Sequence, residues 1–166
     1  GKPKNSEIYK PNSFYHIYNR GNRKAKIFYL EKDYETFRRL MYRYLKKSRI
    51  LLIVYCYMPN HYHFILKCGK DWEEIPHFMH SFMTGYALYF NRRHQKIGRI
   101  FQGPFQVRRI IGKRDLNKTI EYIIHNPEGS SVGTDLVESK YEWLFVRDSE
   151  RFQMEERRVG KECRSR

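Results

Sequence analysis

The 166-residue sequence is short of acid where it is richest in base: from Ile75 to Arg114 there is no Asp or Glu at all. Arg92, Arg93, Lys96, Arg99, Arg108, Arg109, Lys113 and Arg114 fall within that stretch. Cysteine is scarce, three residues (Cys56, Cys68, Cys163) without CxxC spacing, which excludes a disulfide framework or zinc knuckle and predicts reduced thiols in a cytoplasmic protein. No apolar run is long enough to cross a membrane, and no secretory leader opens the chain, so no membrane partner is expected. There is no internal repeat.

What is present is charge and rings. Lys and Arg number 33 against 18 Asp and Glu, a formal net charge of +15, and 16% of residues are aromatic. Such a balance says little about fold and points to a polyanionic partner. Tyr86, Tyr89, Phe90, Phe101 and Phe105 interleave with the cations. Cations for phosphates and rings for unstacked bases suit single-stranded nucleic acid, although core packing also accounts for most such rings.

The length fits one domain, assigned to residues 1–146, with a charged and mobile tail over 147–166. Gly1 and the last nine residues are set aside from functional argument as vector-type sequence. "FYHIYNRG" (14–21) reads as a strand ending at a Gly turn, and helical spacing of Tyr34, Phe37, Leu40, Met41 and Tyr44 predicts a helix over 32–48. "ILLIVYCYM" (50–58) and "HYHFILKC" (61–68) are β-rich runs joined by Pro59-Asn60, hence a hairpin. Ile75, Phe78, Met79, Phe82, Met83 and Phe90 mark a second helix, with Pro76 in its first turn. After a break at Gly103-Pro104 comes another strand, then a third helix capped by Asp115 and ended near Asn126 by Pro127. This order predicts an α+β sandwich, an antiparallel sheet with helices packed on one face.

Two segments carry candidate chemistry. In "MPNHYHFIL" (58–66) strand alternation points His61 and His63 the same way. They are either a hydrogen-bonded pair at a half-buried sheet edge or part of a metal site. In "TIEYIIHNP" (119–127) Tyr122 and Asn126 are four residues apart on one helical face, beside the Leu116, Ile120 and Ile123 stripe, with His125 close by. Tyr122 is either a rim tyrosine or a nucleophile. Together, two neutral imidazoles and an amide oxygen would make an open three-ligand site that polarises a phosphodiester. A nearby tyrosine hydroxyl could then attack it and conserve the bond energy in a phosphotyrosine.

"FYHIYNRGNRKAKIF", "MPNHYHFIL", "NRRHQKIGRIFQG", "EYIIHNP" and a closing "YEW", in this order over about residues 13–143, resemble the REP-associated tyrosine transposases, single-tyrosine transposases of the HUH nuclease superfamily. The resemblance implies a ferredoxin-like fold with the His61/His63 strand central. It also implies Tyr122 as the nucleophile and His61, His63 and Asn126 as ligands of Mg²⁺ or Mn²⁺; such a donor set is softer than the all-oxygen sites Mg²⁺ prefers, so Mn²⁺ should bind more tightly. The implied substrate is single-stranded DNA beside a short imperfect hairpin, cleaved to a 5′-phosphotyrosine and a free 3′-hydroxyl by a monomer or homodimer. Arg20, Lys24, Lys26, Arg92, Arg93, Arg99, Arg108 and Lys113 are expected along the DNA path. The chain departs from the family at Ile124, where a histidine is usual and His125 follows instead, and at "NPEGSSVGTDLV" and "WLFV". Two other functions fit the composition: a ferredoxin-like nucleic-acid-binding module, which would leave the histidines idle, and a metal nuclease without a covalent intermediate, which would not need Tyr122.

Overall fold

The computed structural model describes residues 5–129 and 141–148. Five strands form one sheet: β1 (Phe14–Arg20), β2 (Leu51–Met58), β3 (His61–Lys67), β4 (Gln106–Ile110) and β5 (Leu144–Val146), in the order β4-β1-β3-β2-β5 with every pairing antiparallel. Helices α1 (Asn5–Ile8), α2 (Glu31–Leu45), α3 (Glu74–His94) and α4 (Gly112–Ile124) punctuate the strands. β1-α2-β2 and β3-α3-β4 interleave as two split βαβ units, the ferredoxin-like arrangement, and the histidine strand β3 is central.

Helices on one face are what α2 and α3 provide. They cover the side carrying Tyr15 and Ile17 of β1, Tyr55 and Tyr57 of β2, and Tyr62, Phe64 and Leu66 of β3. Phe37 of α2 is fully buried there, its ring 4.5 Å from Phe82 of α3 and 4.8 Å from both Tyr57 and Tyr86. Most of the aromatic excess is spent on this core. Tyr86, Phe90 and Phe101 are buried and Tyr89 and Phe105 are partly buried against it, so the rings that alternate with cations in the sequence face inward. The opposite face holds a smaller apolar cluster of Ile53, Val54, Cys56, Met58, Ile65 and Ile110, and α4 lies on it through Leu116 and Ile123. A bulge between Leu52 and Val54 turns two successive β2 residues, Ile53 and Val54, onto this side.

The expected segments appear with small shifts. α2 ends at Leu45 because the amides of Lys47 and Ser48 bond back to Tyr44 and Leu45 in a closing turn. α4 starts at Gly112, three residues before Asp115. That carboxylate sits in the first turn and accepts the Ile111 amide at 2.8 Å, so it caps from within. β5 was not foreseen, since three residues of "WLFV" are too few to show alternation. Of the tail, Arg147 holds the sheet edge through its amide to Ile53 O at 2.8 Å and its Nε to Leu52 O at 2.7 Å. Residues 149–166, and with them Cys163, lie outside the described residues. Cys56 and Cys68 are free and buried, and burial pushes the Cys56 thiol up to about 12, which makes it inert.

Gly21, after β1, has no room for a side chain: a Cβ there would lie 1.9 Å from the Ala25 carbonyl oxygen. Its amide donates to Asn60 O at 2.9 Å, tying the end of β1 to the hairpin turn before His61.

Candidate active site

The site grows from strand alternation on β3. His61 and His63 face the α4 side, while Tyr62 and Phe64 face the large core. Register with β1 sets Tyr18 opposite His63 and Arg20 opposite His61, and register with β4 sets Gln106 opposite Tyr18. α4 is pinned by buried Leu116 and Ile123. Tyr122 therefore stands at the edge of the contact, 59% exposed, and Asn126 enters from the 3₁₀ turn that follows.

His61 is held at both ring nitrogens. Its Nδ1 lies 2.7 Å from Asn60 Oδ1 and its Nε2 lies 2.6 Å from Asn126 Oδ1. Asn126 Oδ1 accepts from His61 Nε2–H, the proton that a cation would displace in order to bind both atoms. The His63 ring is edge-on to His61 with centroids 5.3 Å apart, and Tyr122 is edge-on to His63 at 5.8 Å. All four residues line one cavity of about 570 Å³, together with Arg20, Tyr18 and Gln102.

His16 was not singled out in the sequence. It lies on the same face as His63, and its Nε2 is 2.9 Å from His63 Nδ1. Burial, then the Arg108 charge, pushes His16 down to about 4, with Asp115 acting against them. Burial, then His16 and His61, pushes His63 down to about 3. Both rings are therefore neutral near pH 7 and share one proton between them. Where Nδ1–H of His63 donates to His16 Nε2, the His63 Nε2 is left unprotonated for a ligand. The signal was available: "YHIY" on β1 alternates as "HYHF" does on β3, and only the strand pairing shows that they meet.

The donor set fits a divalent ion of borderline softness: two imidazoles and an amide oxygen, convergent and open on the cavity side. Among the described residues no group of three or more His, Cys, Asp or Glu side chains is placed to hold a metal, so such a site depends on the Asn126 oxygen.

The expected cations are spread more widely. Arg20 lines the cavity and its Nε bonds Gln102 Oε1. Arg108 lines an adjoining cavity, but its guanidinium is committed to Asp115 at 3.0 Å and Thr119 Oγ1 at 2.8 Å. Lys24, Lys26, Arg92, Arg93 and Arg99 are exposed and line neither cavity. Lys113 lies on an outer groove of α4. His125 points elsewhere, its Nε2 3.6 Å from Glu121.

No curated protein matches the sequence. Among solved structures, the chain is similar to a REP-associated tyrosine transposase bound to a REP hairpin, with TM-score 0.61 and 16% identity over 84% of this chain and 81% of that one. It is also similar to a putative transposase from Deinococcus radiodurans R1, with TM-score 0.52 and 15% identity over 76% of this chain and 96% of that one. At such identities the likeness shows a shared fold. The family model for IS200-like transposases matches residues 9–126, which takes in β1 to β4 and all four candidate residues. The chain thus belongs to the IS200-like transposase family, enzymes that act on DNA.

Proposed function

We propose that the chain is a single-strand DNA nickase and strand transferase of the REP-associated type, acting beside DNA hairpins through Tyr122. The observation that carries this is the shared cavity: a partly exposed tyrosine from α4 and three convergent metal-type donors from two distant segments open onto one space. The likeness to a transposase bound to a REP hairpin supports hairpin DNA as the substrate.

In this reading the Tyr122 hydroxyl attacks a backbone phosphorus, and its proton passes through solvent to the departing 3′-oxygen. The P–O3′ bond breaks, leaving a 5′-phosphotyrosine on the protein and a free 3′-hydroxyl on the released strand. Attack of a second 3′-hydroxyl on that ester reverses the step and frees Tyr122. His61, His63 and Asn126 would hold Mg²⁺ or Mn²⁺, which polarises the scissile phosphate and offsets the charge that builds during attack. His16 orients the His63 ring, and Asn60 and Asn126 orient that of His61. Arg20 meets the phosphate backbone at the cavity mouth. The exposed Lys24, Lys26, Arg92, Arg93, Arg99 and Lys113 extend the basic path, with Arg108 shaping its floor.

Incubation with single-stranded hairpin DNA and Mn²⁺ should give a denaturation-resistant adduct that maps by peptide mass to Tyr122. Tyr122→Phe removes one oxygen from an exposed ring, so DNA binding should stay within about twofold while the adduct and strand rejoining vanish. An adduct on Tyr18, or undiminished adduct in Tyr122→Phe, would sink the assignment. Cleavage without any adduct would favour a metal nuclease, and binding without cleavage a recognition module.

A further inference from the structure

A second cavity, of about 400 Å³, adjoins the first. The two share Tyr18, His63 and Tyr122 and diverge from there: one runs to His61 and Asn126, the other to His16, Arg108 and Lys118. Tyr122 thus stands between two compartments, and of the metal-type donors His61 and Asn126 line only the first.

Two side chains of the second compartment are unspent. Tyr18 is 38% exposed although it sits mid-strand on β1. One side of its ring is backed by His16 and His63, with centroids 4.8 and 5.8 Å away. Lys118 lies one helical turn before Tyr122, exposed, and no ion pair among the described residues engages it. Arg108 cannot take its place, being held by Asp115 and Thr119. Lys118 also borders the outer α4 groove with Lys113 and Arg114. Arg114, Lys118 and Tyr122 recur every four residues, about 6 Å apart along the helix.

A backed aromatic ring beside a free ammonium is the pair of contacts that a single-stranded nucleotide needs, a face for the base and a charge for the phosphate. We propose that Tyr18 and Lys118 form a nucleotide subsite: Tyr18 stacks the base flanking the scissile phosphate, and Lys118 meets the next phosphate as the strand leaves along α4. This rests on the reading of Tyr122 as nucleophile. It also gives the second compartment a task, to hold one flank of the DNA still while the other is released.

The test uses the full chain carrying Tyr122→Phe, without metal, and single-stranded DNA extending from a hairpin. A fluorescent adenine analogue is placed in turn on each side of the mapped cleavage position. Its emission should be quenched at one flank only, and Tyr18→Leu should abolish that quenching and weaken binding at least fivefold, while Tyr18→Phe preserves both. Lys118→Gln should lower the slope of log affinity against log salt by about 0.7. Tyr18→Leu binding within twofold of its parent, or an unchanged salt slope in Lys118→Gln, would overturn the subsite. Lys118→Gln lies on an exposed helix face and decides the matter if Tyr18→Leu fails to fold. Adduct formation with otherwise native Tyr122 is scored separately. An adduct in the unaltered chain with unchanged binding in both variants removes the subsite alone; weakened binding in the variants with no adduct in the unaltered chain removes the nucleophile and leaves the subsite.

Discussion

His16 shows how much one side chain can carry without touching substrate. Its Nε2 fixes His63 at 2.9 Å, and both rings are held neutral, at about 4 and about 3, mainly by burial. A free histidine titrates near 6.5, so between that value and about 4 the unfolded chain binds protons that the folded chain refuses. Stability from the pair is therefore full above about pH 6.5 and is lost as pH falls through 4 and 3, by an amount on the order of a few kcal/mol. Ordinary carboxylates titrate lower, which leaves the range from 6.5 to 4.5 to the histidines. Urea melts across that range should show stability falling with acid, and His16→Leu should flatten the fall. The same variant should weaken Mn²⁺ binding roughly tenfold or more, read by calorimetry, because His63 loses the partner that orients it. Unchanged Mn²⁺ affinity would reduce His16 to packing.

At the scale of elements, the site is a joint between a rigid strand and a lightly anchored helix. β3 is flanked by β1 and β2 along its length, whereas α4 rests on Leu116 and Ile123 with Ile120 beside them. Ile123 lies between Tyr122 and Asn126 in sequence and is fully buried. Ile123→Ala should cost about 2–4 kcal/mol locally. Amide exchange should quicken in α4 and leave α2 and α3 protected, and adduct formation should fall more than hairpin binding. Equal loss of protection throughout would mean that α4 is integral to the main fold. α4 and β3 also mark what the sequence could and could not tell. The His61/His63 alternation and the Tyr122/Asn126 spacing are local periodicities, so both halves of the joint were legible. The side of the sheet that α4 chooses was not, because it depends on the Ile53 bulge and on Ile65 and Ile110 meeting across strands. β5 was hidden by its length and His16 by its distance from His63 along the chain. The interleaved rings misled for a related reason: alternation of charge and aromatic does not say which of the two faces water.

For the molecule as a whole, the proposed chemistry is expected to run within one chain. The Tyr122 ring centroid stands 5.8 Å from that of its own His63, and both residues line the same cavity. Mixing His63→Ala with Tyr122→Phe protein should therefore restore no adduct. Restored adduct would show that the tyrosine reaches a partner's site. The net charge of +15 acts at this scale too, drawing DNA to the surface before any local contact forms and making every affinity depend on salt.

The two faces of the sheet divide labour: Phe37, Phe64 and Phe82 hold the fold on one, and the candidate chemistry occupies the other. Mutations that end the chemistry therefore need not disturb folding. On the proposed reading, a gene copy that has lost its tyrosine would still yield a folded, basic protein able to occupy the same DNA. Within a population of such genes, a dead copy is not merely silent but a rival to the live ones. On that reading, erosion of a few site residues would turn a transposase into a repressor of its active copies.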